Sequence, residues 1–122
     1  METHESKEMY LETILRLSQN TNKVRSIDVA NSLNFTRASV SVAVKHLKDE
    51  GFIEILADNS LHLTSKGLDV ANSVFEKHRY LTSLLISLGV SKDIAENDAC
   101  RIEHIISSET FDCIKKYIDN KD

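Results

Sequence analysis

Proline is absent from this 122-residue chain, and glycine occurs only at Gly51, Gly67 and Gly89. With so few backbone breakers, a turn-rich organisation is excluded and a mostly helical chain is expected. Cysteine occurs twice, at Cys100 and Cys113, which is too few for a disulfide framework. Both positions lie within helical periodicity, so reduced thiols are expected, with Cys113 a small buried hydrophobe. No apolar run approaches the length that crosses a bilayer, and Met1 to Glu5 lack the basic-then-apolar start of a signal peptide. A cytoplasmic protein without a membrane partner is the expectation. Positive charge is also in deficit, with a net charge of −4, which taken over the whole chain argues against nucleic acid.

The distribution of charge says otherwise. Between Ile14 and Lys48 the basic residues are Arg16, Lys23, Arg25, Arg37, Lys45 and Lys48, against the single acid Asp28. Acid gathers in the second half, at Glu96, Asp98, Glu103, Glu109, Asp112, Asp119 and Asp122. That asymmetry suits a phosphate-binding half joined to a carboxylate-rich half. A hydrophobic fraction of 41% and a charged fraction of 28% are those of a soluble globular chain. The length suits one domain, or one small domain and an extension.

Periodicity divides the chain further. Ser6 is placed to cap a first helix carried by Met9, Tyr10, Leu11, Ile14, Leu15 and Leu17, which Asn20 to Asn22 break. Ser26 is placed to cap a short second helix from Asp28 to Leu33, and Asn34-Phe35 makes a tight turn. Thr36 caps a third helix with Val40, Val44 and Leu47 on one face, stopped at Glu50-Gly51. The period then becomes alternating: Phe52 to Leu56 reads as a strand, Ala57 to Ser60 as a turn, and Leu61 to Thr64 as the returning strand. A long helix from about Ser65 to Leu88 is stopped by Gly89. Ser91 caps a fifth helix with Asp93 in its first turn, and Ser107 or Ser108 starts a last one through Phe111, Ile114 and Ile118.

Helix, short helix, tight turn, helix and hairpin make a winged helix-turn-helix, followed from residue 65 by a helical domain (1–64 and 65–122). The fold class expected is therefore mainly α. On the third helix Thr36, Arg37, Ser39, Ser41, Val42, Lys45 and His46 face away from the apolar stripe. Short hydroxyls allow close approach to DNA, and Lys45 and Lys48 can sit near phosphate. Ser6, Arg25 and, in the wing, Asn59 complete the expected DNA-contacting set.

The fifth helix carries Cys100, Glu103 and His104. A spacing of i, i+3 and i+4 projects a thiol, a carboxylate and an imidazole from one helical face. Such a mixed donor set suits a borderline-soft divalent metal. A half-exposed helix with a buried cysteine and a solvated Glu-His pair fits the same spacing. So does a zinc-dependent hydrolase with Glu103 as base, although no nucleophile or oxyanion motif accompanies it. No catalytic residue is assigned.

The segments Glu8 to Glu12, Asp28 to Leu33, Leu63 to Gly67, Lys77 to Leu81 and Asp98 to Ser107 resemble the diphtheria toxin repressor family of metal-dependent bacterial transcriptional repressors. The resemblance extends over essentially the whole chain. It implies a DNA-binding winged helix, a helical domain that dimerises and binds metal, and a palindromic operator read by a homodimer. No barrel-like third domain is expected, as in the manganese-responsive branch. The iron-responsive branch's primary ligands map onto Met9, Cys100, Glu103 and His104, all present. Glu12 stands at a ligand position of the manganese branch, and His78 at one common to both branches. Thr82 stands where the iron branch's ancillary site has a Glu, and Glu96 where it has a His. An ancillary site of His78, Glu12 and Glu96 is the remaining arrangement. Val42 replaces a Gln of the iron branch, and Asn59 a basic wing residue. The sulfurs of Met9 and Cys100 make Fe²⁺ the expected metal, with Mn²⁺ the alternative and Co²⁺, Ni²⁺ or Zn²⁺ as substitutes in vitro.

Overall fold

The computed structural model describes residues 4–121. Six helices and one hairpin follow the order α1 (His4–Ser18), α2 (Ser26–Leu33), α3 (Arg37–Asp49), β1 (Ile53–Ile55), β2 (Leu61–Leu63), α4 (Ser65–Ser87), α5 (Lys92–Ile102) and α6 (Ser108–Asp119). The backbone forms two compact units, one ending at Asn72 and the other starting at Ser73.

The first unit is built on one apolar core. Leu11 and Ile14 from α1, Val29 and Ala30 from α2, Val40, Val44 and Leu47 from α3, and Ile53 and Leu61 from the hairpin are all buried in it. Each Leu, Ile or Val so buried contributes roughly 1.5–3 kcal/mol, and together they hold three short helices that would not persist alone. Local chemistry sets the joints. Asn34 takes the left-handed conformation (φ 58°) after α2, and the Phe35 N–H donates to the Ala30 carbonyl at 3.0 Å. Thr36 caps α3 by accepting the Ser39 N–H at 3.1 Å, and Gly51 leaves α3 with φ +84°. Strand β1 pairs antiparallel with β2, with Ile53 opposite Leu63 and Ile55 opposite Leu61.

Three boundaries in the first unit differ from the sequence expectation. Helix α1 already includes His4, so Ser6 lies inside it and is not its cap. Helix α2 begins at Ser26, and its N-cap is Arg25, whose N–H donates to the Asp28 carboxylate at 2.9 Å. An acid at the third helical position does what a serine hydroxyl was expected to do. The strands are also shorter than the alternating pattern suggested, because Leu56 turns outward into the wing.

At the head of α4, Gly67 is buried where a Cβ would be driven into the Phe52 carbonyl oxygen. Backbone cannot yield there as a side-chain tip would. Gly67→Ala should therefore cost about 3 kcal/mol, at the upper end of the overpacking range, read as a lowered urea midpoint with unchanged slope. A variant as stable as the parent would show that the helix start can slide.

In the second unit, α6 is tied to the later part of α4. The Tyr80 hydroxyl donates to Asp119 at 2.7 Å, the Tyr80 ring meets Phe111 edge-on at 5.9 Å, and Lys115 pairs with Glu76 at 3.0 Å. The bond to Asp119 pushes the Tyr80 phenol above its usual range, and the Glu76 carboxylate does the same for the Lys115 ammonium. Cys113, expected to be buried, is exposed on α6. The helix turns Phe111 inward instead, and the position two residues later faces out.

Candidate metal centre and DNA-reading surface

Ser91 holds the N-cap position of helix α5 but makes no side-chain cap hydrogen bond, so the capping expected of its hydroxyl is not seen; Asp93 lies in the first turn, and the helix ends in regular form at Ile102. Glu103 and His104 thus lie in the turn that follows rather than inside the helix. Glu103 still has helical dihedrals (φ −58°, ψ −25°), and its N–H donates to the Ala99 carbonyl at 2.9 Å. The i, i+3, i+4 geometry therefore survives the end of the helix. The donor atoms of Cys100, Glu103 and His104 lie within 4.8 Å of one another.

Glu103 is the centre of this group. Its side chain is 0% exposed, Oε1 lies 3.0 Å from His78 Nδ1 on α4, and Oε2 is buried with no hydrogen-bond partner among the described residues. A buried carboxylate oxygen left unsatisfied costs about 1–3 kcal/mol or more, so such an atom calls for an account. A divalent cation bound here would satisfy it directly. The donors offered are one thiol sulfur, carboxylate oxygen and imidazole nitrogen, which together fit a borderline cation better than a purely oxygen-seeking one. The Thr82 hydroxyl, one turn beyond His78, is likewise buried without a partner among the described residues.

The remaining metal candidates are placed as follows. Glu96 lies exposed on α5, outside the converging donors. Met9 and Glu12 lie on α1 in the first unit, Met9 half-buried and Glu12 3% exposed, with the Arg16 guanidinium donating to Glu12 at 2.9 Å. A buried carboxylate that the sequence reading passed over is Glu8, 7% exposed one turn before Glu12. Its signal was the Glu8/Glu12 spacing of four within an otherwise apolar helix face.

Most of the DNA-reading candidates are exposed on the first unit. Thr36, Arg37, Ser39, Ser41, Val42, Lys45 and His46 are exposed on or just before α3, while Val40, Ala43, Val44 and Leu47 point into the core. Val42 is 59% exposed on this face. Arg25, Ser41, Lys45 and Asn59, together with the apolar Ile27, Val44, Ile55 and Leu61, line a groove of about 380 Å³ between the start of α2, the candidate recognition helix α3 and the wing. Ser6 sits apart, half-buried on α1.

The wing tip that brings Asn59 there is fixed locally. Asn59 adopts φ 69°, and Asp58 accepts both the N–H and the hydroxyl of Ser60, at 3.0 and 2.6 Å. Those bonds hold the Asp58 carboxyl below its ordinary range, helped by Lys23 and Arg25 nearby. The Leu61 N–H then donates to the Val24 carbonyl at 2.7 Å, tying the wing to the segment that presents Arg25. Two cations, a hydroxyl and an amide thus line one groove, and groups of these kinds are those that contact a sugar-phosphate backbone.

Comparison with known proteins agrees with both halves. The iron dependent repressor N-terminal DNA binding domain matches residues 2–60, and the iron dependent repressor metal binding and dimerisation domain matches residues 64–122. The transcriptional regulator MntR of Escherichia coli O6:H1 is 32% identical over 108 residues, covering 88% of this chain and 70% of that protein. The iron-dependent repressor IdeR of Mycobacterium tuberculosis is 30% identical over 117 residues, covering 95% of this chain and 51% of that one. The solved structure of the manganese regulator SloR superposes with a TM-score of 0.83 at 28% identity, over 94% of this chain and 54% of its own. These relatives are regulators and not enzymes, which removes the zinc-hydrolase reading of Glu103. No helix among the described residues is long and apolar enough to cross a membrane. The chain belongs to the diphtheria toxin repressor family of metal-dependent transcriptional repressors, with a winged-helix DNA-binding domain and a metal-binding dimerisation domain.

Proposed function

We propose that this protein is a cytoplasmic, homodimeric, Fe²⁺-responsive repressor that reads a palindromic operator. The observation that carries the metal assignment is the buried Glu103 carboxylate, with one oxygen on His78 and the other unsatisfied beside the Cys100 and His104 donors. A bound divalent cation supplies the positive charge that offsets burying these donors together. In this reading Cys100, Glu103, His104 and, from α1, Met9 hold the cation. His78, Glu12 and Glu96 are the candidates for a second site. The sulfurs of Met9 and Cys100 support Fe²⁺.

A second reading, Mn²⁺, is favoured by the presence of Glu12 and by similarity to MntR and SloR. Both readings make the same demand of the protein: the ligands must favour the DNA-competent arrangement by differential affinity, since equal affinity shifts nothing. For dimerisation the second unit offers Ile86, Leu88 and Ile94, each exposed near the end of α4 or on α5.

The test is a gel shift on DNA from upstream of the protein's own gene, with chelator and with a panel of divalent metals. A metal-stimulated shift is expected. Equal binding with chelator would remove the regulatory reading.

Lys45 in this groove yields a sharper expectation. In this reading Lys45 meets phosphate, so Lys45→Ala should weaken binding to all sequences alike and lower the salt slope by about one unit. Titrating salt from low to physiological strength on specific and scrambled duplexes measures both. A changed base preference at constant slope would instead make Lys45 a base reader.

A further inference from the structure

We propose that Glu50, the C-cap of the recognition helix, is the relay that makes DNA affinity answer to the state of the metal site. This rests on the metal-responsive reading above and names its route.

Two lysines hold Glu50 within the first unit. Its carboxylate accepts a hydrogen bond from Lys7 Nζ of α1 at 2.7 Å, and its backbone carbonyl accepts one from Lys66 Nζ of α4 at 2.9 Å. The adjoining Gly51 carbonyl accepts the Thr64 hydroxyl at 2.7 Å, and the Lys66 ammonium stands 4.4 Å from the centre of the Phe52 ring. Carbonyls at the end of a helix lack intrahelical donors, and the helix dipole favours cations there. Lys66 serves that end directly through the Glu50 carbonyl, whereas Lys7 pairs with the Glu50 side chain and ties α1 to it.

The positions of the two lysines in the chain matter more. Lys7 shares α1 with Met9 and Glu12. Lys66 opens α4, the uninterrupted helix that carries His78 about three turns later. The two helices bearing candidate ligands outside the α5 cluster thus each grip the same residue. That residue closes α3, whose exposed face carries Arg37, Ser41 and Lys45. The close fit of Gly67 against the Phe52 carbonyl leaves the head of α4 no room to slip without carrying the start of β1 along. A small displacement of α1 or α4 at the ligand end is therefore delivered as a displaced cation at the end of the recognition helix.

A purely stabilising role predicts something different. Side chains 27% and 41% exposed form an ion pair worth little to folding, so removing it leaves a folded chain. A relay role moves the ratio of DNA affinities with and without metal, while each end of the relay remains intact.

The experiment uses the full chain, Co²⁺ as an air-stable probe, and fluorescence anisotropy on DNA from its own upstream region. The variants are Lys7→Met, Glu50→Gln, Lys66→Met, and the charge-swapped pair Lys7→Glu with Glu50→Lys. In Lys7→Met and Glu50→Gln the metal-stimulated ratio should fall about fivefold, within the range of ordinary allosteric couplings. The double variant Lys7→Met with Glu50→Gln should lose no more than either alone, and the charge-swapped pair should recover at least half of the ratio. Co²⁺ affinity without DNA, and DNA affinity without Co²⁺, should stay within about twofold of the parent for the uncharged variants. The ratio also cancels any general attraction of an added lysine to DNA. An unchanged ratio in Lys7→Met and Glu50→Gln overturns the relay, as does a fall fully matched by lost Co²⁺ affinity. A parent chain that responds to no metal overturns the functional reading and the relay together.

Discussion

Glu103→Gln is expected to remove metal-stimulated DNA binding while leaving a folded, dimeric chain. The substitution keeps the volume of a fully buried side chain, so no cavity opens, and its amide oxygen can still face His78. What it loses is the anionic oxygen that a divalent cation needs at the centre of the cluster. We expect metal affinity to drop at least about a hundredfold, matching or exceeding the usual effect of removing a supporting partner. Without metal the variant should be as stable as the parent or slightly more so. An amide is cheaper to leave partly unsatisfied in the interior than a carboxylate oxygen with no donor. Calorimetric titration with Fe²⁺ under anaerobic conditions measures the first effect, and urea unfolding with chelator the second. A variant that kept parental metal affinity would displace Glu103 from the centre of the site. One that unfolded without metal would make it a structural group.

How far these residues could be read from sequence depends on how local their chemistry is. The caps at Thr36 and Ser107, the glycine stop at Gly51 and the exposed face of α3 are settled within four or five residues of one another. Their patterns therefore stand in the sequence. The Cys100, Glu103 and His104 cluster is equally local, and its geometry persists past the end of α5 because the turn keeps helical dihedrals. Pairing of Glu103 with His78 spans 25 residues, and its isolated Oε2 depends on packing from several elements. No spacing rule contains that. The exposure of Cys113 was missed for the same reason. Its helix presents two faces with apolar character, and only the packing of Phe111 against Tyr80 decides which one turns inward. The grip on Glu50 was hidden more completely, since lysines at positions 7 and 66 look like ordinary solvated charges until the chain folds them onto one helix end.

The choice of metal offers the largest change of behaviour obtainable from two substitutions. Met9 and Cys100 bring sulfur, and soft or borderline donors favour Fe²⁺, Co²⁺ or Ni²⁺ over Mn²⁺, which prefers oxygen. Raw affinity rises along the same series, so strong Co²⁺ or Ni²⁺ binding alone identifies nothing about the cell's metal. Glu12 pulls toward Mn²⁺, but its carboxylate is already held by Arg16 at 2.9 Å. Glu96 stays exposed on α5, outside the cluster. The sulfurs therefore dominate the expected preference. Replacing both, Met9→Asp with Cys100→Glu, presents two further carboxylates to the same cation. We expect the double variant to bind Mn²⁺ at least about tenfold more tightly than the parent and to lose most of its preference for Fe²⁺. Cys100 is exposed, so the longer glutamate needs no room from the core. Met9 is half-buried, and the shorter aspartate gives up only part of an apolar contact. Anaerobic calorimetry with both metals on both proteins decides the matter, and anisotropy on the same DNA reports whether the new preference reaches the recognition helix. Mn²⁺ affinity in the unmodified chain equal to or better than that for Fe²⁺ would overturn the iron assignment and leave the sulfurs as incidental neighbours of a manganese site.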